Sequence, residues 1–282
     1  MKPFWNISAE TEDTEGYNML KRILTSVIGL AVFFAVVFAH HYVLYCAVTL
    51  IVLGMLYEMY NVMELDRTAR IPGYVSALCV CAGFILNKQI FGFTAACMVP
   101  LIAMVFMHEK TDSKKLMTAG FAAVAIAVLM SSLFMIRKRF DKYTVLLPFV
   151  CAWLTDTGAY FTGKLIGKHK LAPKISPKKT IEGSVGGIIL SCLGSVAYIY
   201  LMVEIMAKGM PEEIYLAKFA FIGIAGSVLS QFGDLAASCI KRDYGKKDYG
   251  TLLPGHGGLL DRFDSVLFAA PFVYYAMMHI VL

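Results

Sequence analysis

Residues 23–60 read ILTSVIGLAVFFAVVFAHHYVLYCAVTLIVLGMLYEMY. Two apolar runs stand back to back here, each near the length of about 20 residues that a helix needs to cross the hydrocarbon of a bilayer. Only His40-His41 separates them, and Lys21-Arg22 stand in front. Backbone inside lipid must satisfy its own hydrogen bonds, so runs of this kind fold as helices. The first run leads directly into the second and reads as a retained span rather than a cleaved leader.

Working outward, the same pattern recurs down the chain. Candidate spans fall at about 23–39, 42–60, 73–88, 90–107, 116–136, 143–163, 183–206, 214–240 and 264–281. The third and fourth are divided only by Lys88-Gln89. The expected fold is all-α: a polytopic integral membrane protein of about nine transmembrane helices with a cytoplasmic N-terminus. We divide it into a polar tail (1–22), motif-poor helices (23–142) and a C-terminal catalytic region (143–282). Two polar loops, 164–182 and 241–263, belong to that last part.

Composition agrees. The 282 residues are 58% hydrophobic and 16% charged, whereas soluble domains are about a quarter charged. With the N-terminus inside, 19 of the 26 Lys and Arg fall on cytoplasmic segments. Arg137, Lys138, Arg139 and Lys142 are the exception. This orientation places both long polar loops in the cytoplasm. The net charge of +6 suits an anionic partner. No nucleic-acid motif accompanies it, which leaves nucleotide or lipid headgroup. Seven cysteines lie in or beside the apolar runs without a CxxC pair, and are expected as reduced, buried thiols. Glu58, Glu64, Asp66 and Arg67 cluster at a helix end and read as an interfacial group.

The chemistry concentrates late in the chain. Residues 238–264 read SCIKRDYGKKDYGTLLPGHGGLLDRFD, with Asp234 just upstream. Asp261 and Asp264, at i and i+3, share one face of a helix start. Together with Asp234 they form a hard-oxygen set suited to Mg²⁺, which takes one or two carboxylates plus water and phosphate. The alternative is an interfacial cap with an Arg262 ion pair. Lys241 and Arg242 are either a positive-inside flank or a phosphate counter-charge, and the two roles are compatible. His256, Gly257 and Gly258 make a turn whose backbone a phosphate can approach.

A second constellation lies at 156–187, DTGAYFTGKLIGKHKLAPKISPKKTIEGSVGG. Between Lys164 and Ile181 it holds six Lys, one His and no acid. Lys178, Lys179 and Thr180 precede a helix start, an arrangement that fits a triphosphate. Its alternatives are a lipid-facing basic loop or a close-packed helix start. Asp156 sits late in an apolar span, where a charge is costly unless it has a task.

These two stretches resemble the signature of the phosphatidate cytidylyltransferases, also called CDP-diacylglycerol synthases. The resemblance covers roughly residues 153–264. It rests on Ser238, Lys241-Arg242, Lys247-Asp248, Pro254, His256-Gly257-Gly258, Asp261-Arg262 and Asp264, and on the 156–187 segment. One position departs: Ala237 stands where such sequences often carry Glu. The resemblance implies synthesis of CDP-diacylglycerol and pyrophosphate from CTP and phosphatidate, a homodimer, and Mg²⁺ with a monovalent cation such as K⁺ beside it. It makes Asp234, Asp261, Asp264, Lys241 and Arg242 the expected catalytic set, with the three Asp on the metal. Asp156, Lys168, Ser176, Lys178, Lys179, Thr180, Glu182, His256, Gly257, Gly258 and Arg262 become the expected substrate contacts. The setting implied is a bacterial inner membrane with the site facing the cytoplasm. The readings held beside it are a cytidylyltransferase for another lipid phosphate and an ion-coupled transporter.

Overall fold

The structure, a computed structural model, describes residues 25–205, 213–253 and 257–281. The tail 1–22 and the expected contact His256 lie outside the described residues. Among those described are nine α-helices, eight of them long and apolar enough to cross a membrane. They are α1 (Thr25–Phe38), α2 (His41–Val62), α3 (Arg67–Ile85), α4 (Gln89–Met107), α5 (Ser113–Arg139), α6 (Leu147–Ile166), α7 (Ile181–Ile205), α8 (Glu213–Asp243) and α9 (Leu260–Ala276). α1 is the shorter apolar one.

The helix ends differ instructively from the hydropathy boundaries. α3 begins at Arg67 rather than near 73, because the Asp66 carboxylate accepts the Ala69 N–H at 2.9 Å and caps it. Asp112 caps α5 in the same way through Lys114 N–H at 3.0 Å. α8 runs on to Asp243, so Lys241 and Arg242 occupy its last turn instead of the loop. Basic residues complement the negative end of a helix. α9 begins at Leu260, and both Asp261 and Asp264 are helical.

The loop expected at 164–182 contains a small antiparallel hairpin. β1 (Lys170–Ala172) pairs with β2 (Ser176–Thr180), Lys170 opposite Thr180 and Ala172 opposite Ser176. Pro173 sits in the connecting turn, where its fixed φ suits the reversal. The Ile181 N–H bonds the His169 carbonyl at 2.9 Å, joining the hairpin to α7.

α6 and α7 pack backbone to backbone. A Cβ at Gly158 would stand 2.8 Å from the Gly186 carbonyl and 3.0 Å from Gly187 Cα. Close approach of small residues is how helices associate where lipid supplies no hydrophobic drive. The main core joins α2, α5 and α9 through Val52, Met55, Leu56, Met130, Phe134 and Leu260, all essentially buried. Large apolar side chains such as Phe91, Val105, Phe106 and Phe121 point outward, as a lipid-facing surface requires. The thiols are all free, but only Cys81 and Cys151 are buried in protein; Cys46 and Cys97 are exposed on that outer surface, which corrects the expectation of uniformly buried cysteines.

Candidate active site

Three helices and the hairpin converge at one end of the bundle. α6 contributes Asp156, α8 contributes Asp234, α9 contributes Asp264, and β2 contributes Lys178 and Lys179. Asp156, Asp234 and Asp264 lie close enough to feel one another's charge. Lys179, Lys241 and Arg262 are the cations acting on this group. Lys179 makes an ion pair with Asp234, and Ser238 Oγ donates to the same carboxylate at 3.3 Å. Asp264 is buried and accepts the N–H of Ser265 at 2.7 Å. Gly233 lets α8 press against the backbone carbonyl of Asp264.

Asp261 does not stand with them in the same way. Its side chain, 10% exposed, accepts from Lys241 Nζ at 2.6 Å, from Tyr249 N–H at 2.9 Å and from Gly258 N–H at 3.2 Å. Lys241 Nζ also lies 5.3 Å from the centre of the Tyr249 ring, and the Tyr249 hydroxyl donates to the Ala237 carbonyl at 2.9 Å. Burial raises the Tyr249 phenol well above its ordinary value, and the charges of Asp261 and Asp264 add to the rise. The phenol therefore stays protonated and keeps donating. Position 237 is thus packed into the loop's anchor, with Ala237 buried.

Beside the carboxylates lies a pocket of about 310 Å³ lined by Asp156, Tyr160, Lys178, Lys179, Thr180 and Gln231 among others. Thr180 Oγ1 accepts the Gly183 N–H at 3.1 Å, which caps the N-terminus of α7 beside the two lysines. The helix dipole favours an anion there. Gln231, one turn before Asp234, exchanges hydrogen bonds with Ser184. It escaped the sequence reading, although a lone amide three residues before an Asp in an apolar helix was a usable signal.

Other expected contacts do different work. Glu182 accepts the Lys168 N–H at 3.1 Å and meets His169 Nδ1 at 2.6 Å, so it clasps the base of the hairpin. It lines a separate apolar groove with Phe161 and Ile166 instead of the polar pocket. Ser176 is a strand residue opposite Ala172. Arg242 donates to the Ile175 carbonyl at 3.2 Å and the Lys246 carbonyl at 2.8 Å, tying the hairpin to the 244–259 loop. Gly257 has φ +85°, a left-handed conformation that glycine adopts freely.

The acidic group at the end of α2 is split. Glu64 pairs with Lys246 at 3.5 Å, and Asp66 caps α3 while meeting Thr111 and Lys115. Glu58 instead turns inward, 1% exposed, and accepts the Leu260 N–H at 2.8 Å. It is no interfacial residue, which corrects that expectation. The signal was its place inside an apolar run.

Among the described residues, no three His, Cys, Asp or Glu side chains are gathered closely enough to hold a metal on their own. Mg²⁺ needs only one or two protein carboxylates, with water and substrate phosphate completing its shell. Asp234 and Asp264, with Asp156 beside them, are hard oxygen donors of that kind, and their mutual repulsion favours a cation between them. The arrangement therefore fits a divalent ion that is completed by a phosphorylated ligand.

Comparison with known proteins agrees in scope. The model of the cytidylyltransferase family matches residues 20–280. The chain is similar to the phosphatidate cytidylyltransferase of Staphylococcus aureus strain COL, 33% identical over 266 residues, 90% of this chain and 96% of that one. It is 35% identical over 271 residues to that of Staphylococcus saprophyticus, 93% of this chain and 100% of that one. The Staphylococcus epidermidis protein of the same name is 36% identical over 264 residues, 90% of this chain and 96% of that one.

Proposed function

We propose that this chain, which belongs to the cytidylyltransferase family, makes CDP-diacylglycerol and pyrophosphate from CTP and phosphatidate. The observation that carries this reading is the convergence of Asp156, Asp234 and Asp264 on the lysine-bearing end of β2, at one end of a membrane bundle. A monoester oxygen of phosphatidate attacks the α-phosphorus of CTP. A new P–O bond forms, the bond to the β-phosphate bridging oxygen breaks, and pyrophosphate leaves with that electron pair. The attacking oxygen is already anionic, so no strong base is needed; the task is to screen charge and align the reactants.

Lys178, Lys179 and the capped N-terminus of α7 hold the triphosphate in the pocket. Asp234 and Asp264, with Asp156 beside them, are the residues that would hold Mg²⁺. Bound there, the ion would supply positive charge to offset that of the reacting phosphates. Lys241 keeps Asp261 and the 244–259 loop in place, and Arg242 keeps that loop against the hairpin. We place a monovalent cation beside the same carboxylates, and a homodimer as the working unit.

The lipid substrate favours this placement. Withdrawing it from the bilayer costs about 0.8 kcal/mol per CH₂, so the site must meet the headgroup at the leaflet. The lysine distribution supports the cytoplasmic leaflet, and we place the protein in a bacterial inner membrane. None of the relatives reported above is named as a transporter. The test is to offer CTP labelled at its α-phosphate, in detergent, with phosphatidate or an isoprenoid-type lipid phosphate. Label in the phosphatidate product alone is expected; label only in the isoprenoid product reassigns the lipid.

A further inference from the structure

We infer that Glu58 is a positioning residue: from α2, its buried carboxylate fixes the first turn of α9 and the glycine turn before it, and so sets where Asp261 and Asp264 stand. This inference rests on the reading proposed above and deepens it. Glu58 Oε2 accepts the backbone N–H of Leu260, a bond that spans 202 residues of sequence. That N–H belongs to the opening turn of the helix carrying both aspartates. An acid at a helix N-terminus is favourable there.

The fit around the carboxylate is tight. A Cβ at Gly250 would lie 2.7 Å from Glu58 Oε1, and a Cβ at Gly258 would lie 2.8 Å from Oε2 and 2.7 Å from Asp261 Oδ2. Glycine is required at both positions because the carboxylate occupies the space. One turn earlier on the same face, a Cβ at Gly54 would stand 2.8 Å from Leu259 Cδ2. The Gly54–Glu58 face of α2 is therefore the seat on which residues 258–260 rest. Lys246, paired with Glu64, tethers the far side of the same loop to the end of α2.

Stability alone explains this poorly. Among the described residues Oε1 is buried without a hydrogen-bond partner, and a buried carboxylate with a spare acceptor is costly. An apolar side chain would fill the space without that cost. What the carboxylate adds is direction: it holds Leu260 N–H at one point, and Gly258 N–H stays aimed at Asp261 Oδ2. Errors of about 1 Å in such a framework can lower a rate about a hundredfold.

The test compares E58A, E58D and E58Q with the wild type in detergent. E58A and E58D withdraw the acceptor from Leu260 N–H; the E58Q carbonyl keeps it. E58A and E58D are expected to lower kcat about tenfold and raise the Mg²⁺ concentration for half-maximal rate several-fold, with KM for CTP held within about twofold. E58Q should restore kcat to within about threefold. A second readout needs neither substrate nor metal. Trypsin should cut at Lys246-Lys247 faster in E58A and E58D than in wild type, with E58Q protected. If E58A yields no folded protein, E58D against E58Q decides. Wild-type kcat and Mg²⁺ dependence in folded E58D overturn the inference alone, as does E58Q matching E58D in both. A wild type that makes no labelled CDP-lipid overturns the underlying reading and this inference with it.

Discussion

Asp261 and Asp264 are three residues apart and are held by different forces. Asp261 accepts from one ammonium and two backbone amides, so its charge is already spent within the protein. Asp264 is buried among other carboxylates with its neighbour's amide for a partner. Their asparagine variants should therefore separate. Asp264→Asn should abolish turnover while leaving the melting temperature near wild type, because a like charge has been relieved. Asp261→Asn leaves Lys241 buried without its counter-ion, and breaking such a pair costs about 3 kcal/mol. That variant should lose both activity and several degrees of melting temperature, read by fluorescence-detected thermal unfolding. An Asp261→Asn protein as stable as wild type would contradict the ion pair. The sequence showed both aspartates as candidates but not this division. Lys241 lies 20 residues from Asp261, and the Glu58–Leu260 bond joins opposite ends of the chain. Contacts of that separation leave no local periodicity to read.

At the scale of elements, the hairpin and the α7 cap form one device. Thr180 caps α7, Lys179 reaches Asp234, and Arg242 pins the turn residue Ile175 to the 244–259 loop. Lys178→Ala combined with Lys179→Ala should raise KM for CTP about tenfold with a smaller change in kcat. An unchanged KM would move the triphosphate elsewhere. Asp66 makes a different prediction, about pH. Burial alone would raise its carboxyl, but the Ala69 amide, Thr111 and Lys115 outweigh burial and hold it below 3.8. A carboxylate depressed in the folded state contributes stability above its ordinary value, and that contribution is lost as pH falls through the lowered one. The melting-temperature gap between wild type and Asp66→Asn should be full at neutral pH and close below 3.8. The helices themselves were legible, down to the break at Lys88-Gln89 between α3 and α4. The hairpin was not: KLA and SPKKT are short, lysine-rich and without alternation, so nothing marks them as strands. Helix ends were missed where caps such as Asp66 carry a helix past its apolar run.

Over the whole molecule, the proposed reaction joins a membrane bundle to a water-soluble nucleotide at one leaflet. Its sidedness predicts that a cysteine placed at Lys247 reacts with an impermeant maleimide in inverted membrane vesicles but not in intact cells; native Cys46 and Cys97, on the lipid-facing surface, are removed first. Labelling from outside intact cells would reverse the topology. The polar end of the bundle was readable from lysine placement, whereas the convergence of α6, α8 and α9 depended on helix packing that no span count supplies. Metal-assisted cytidylyl transfer is tested most directly by following label from CTP, marked at its α-phosphate, to phosphatidate in purified protein, with the divalent ion removed by chelator and then returned as Mg²⁺. The expected result is labelled lipid and released pyrophosphate with Mg²⁺, none with chelator, recovery on restoration, and no product from Asp264→Asn under any condition. Undiminished transfer under chelator, or wild-type transfer by Asp264→Asn, would contradict it.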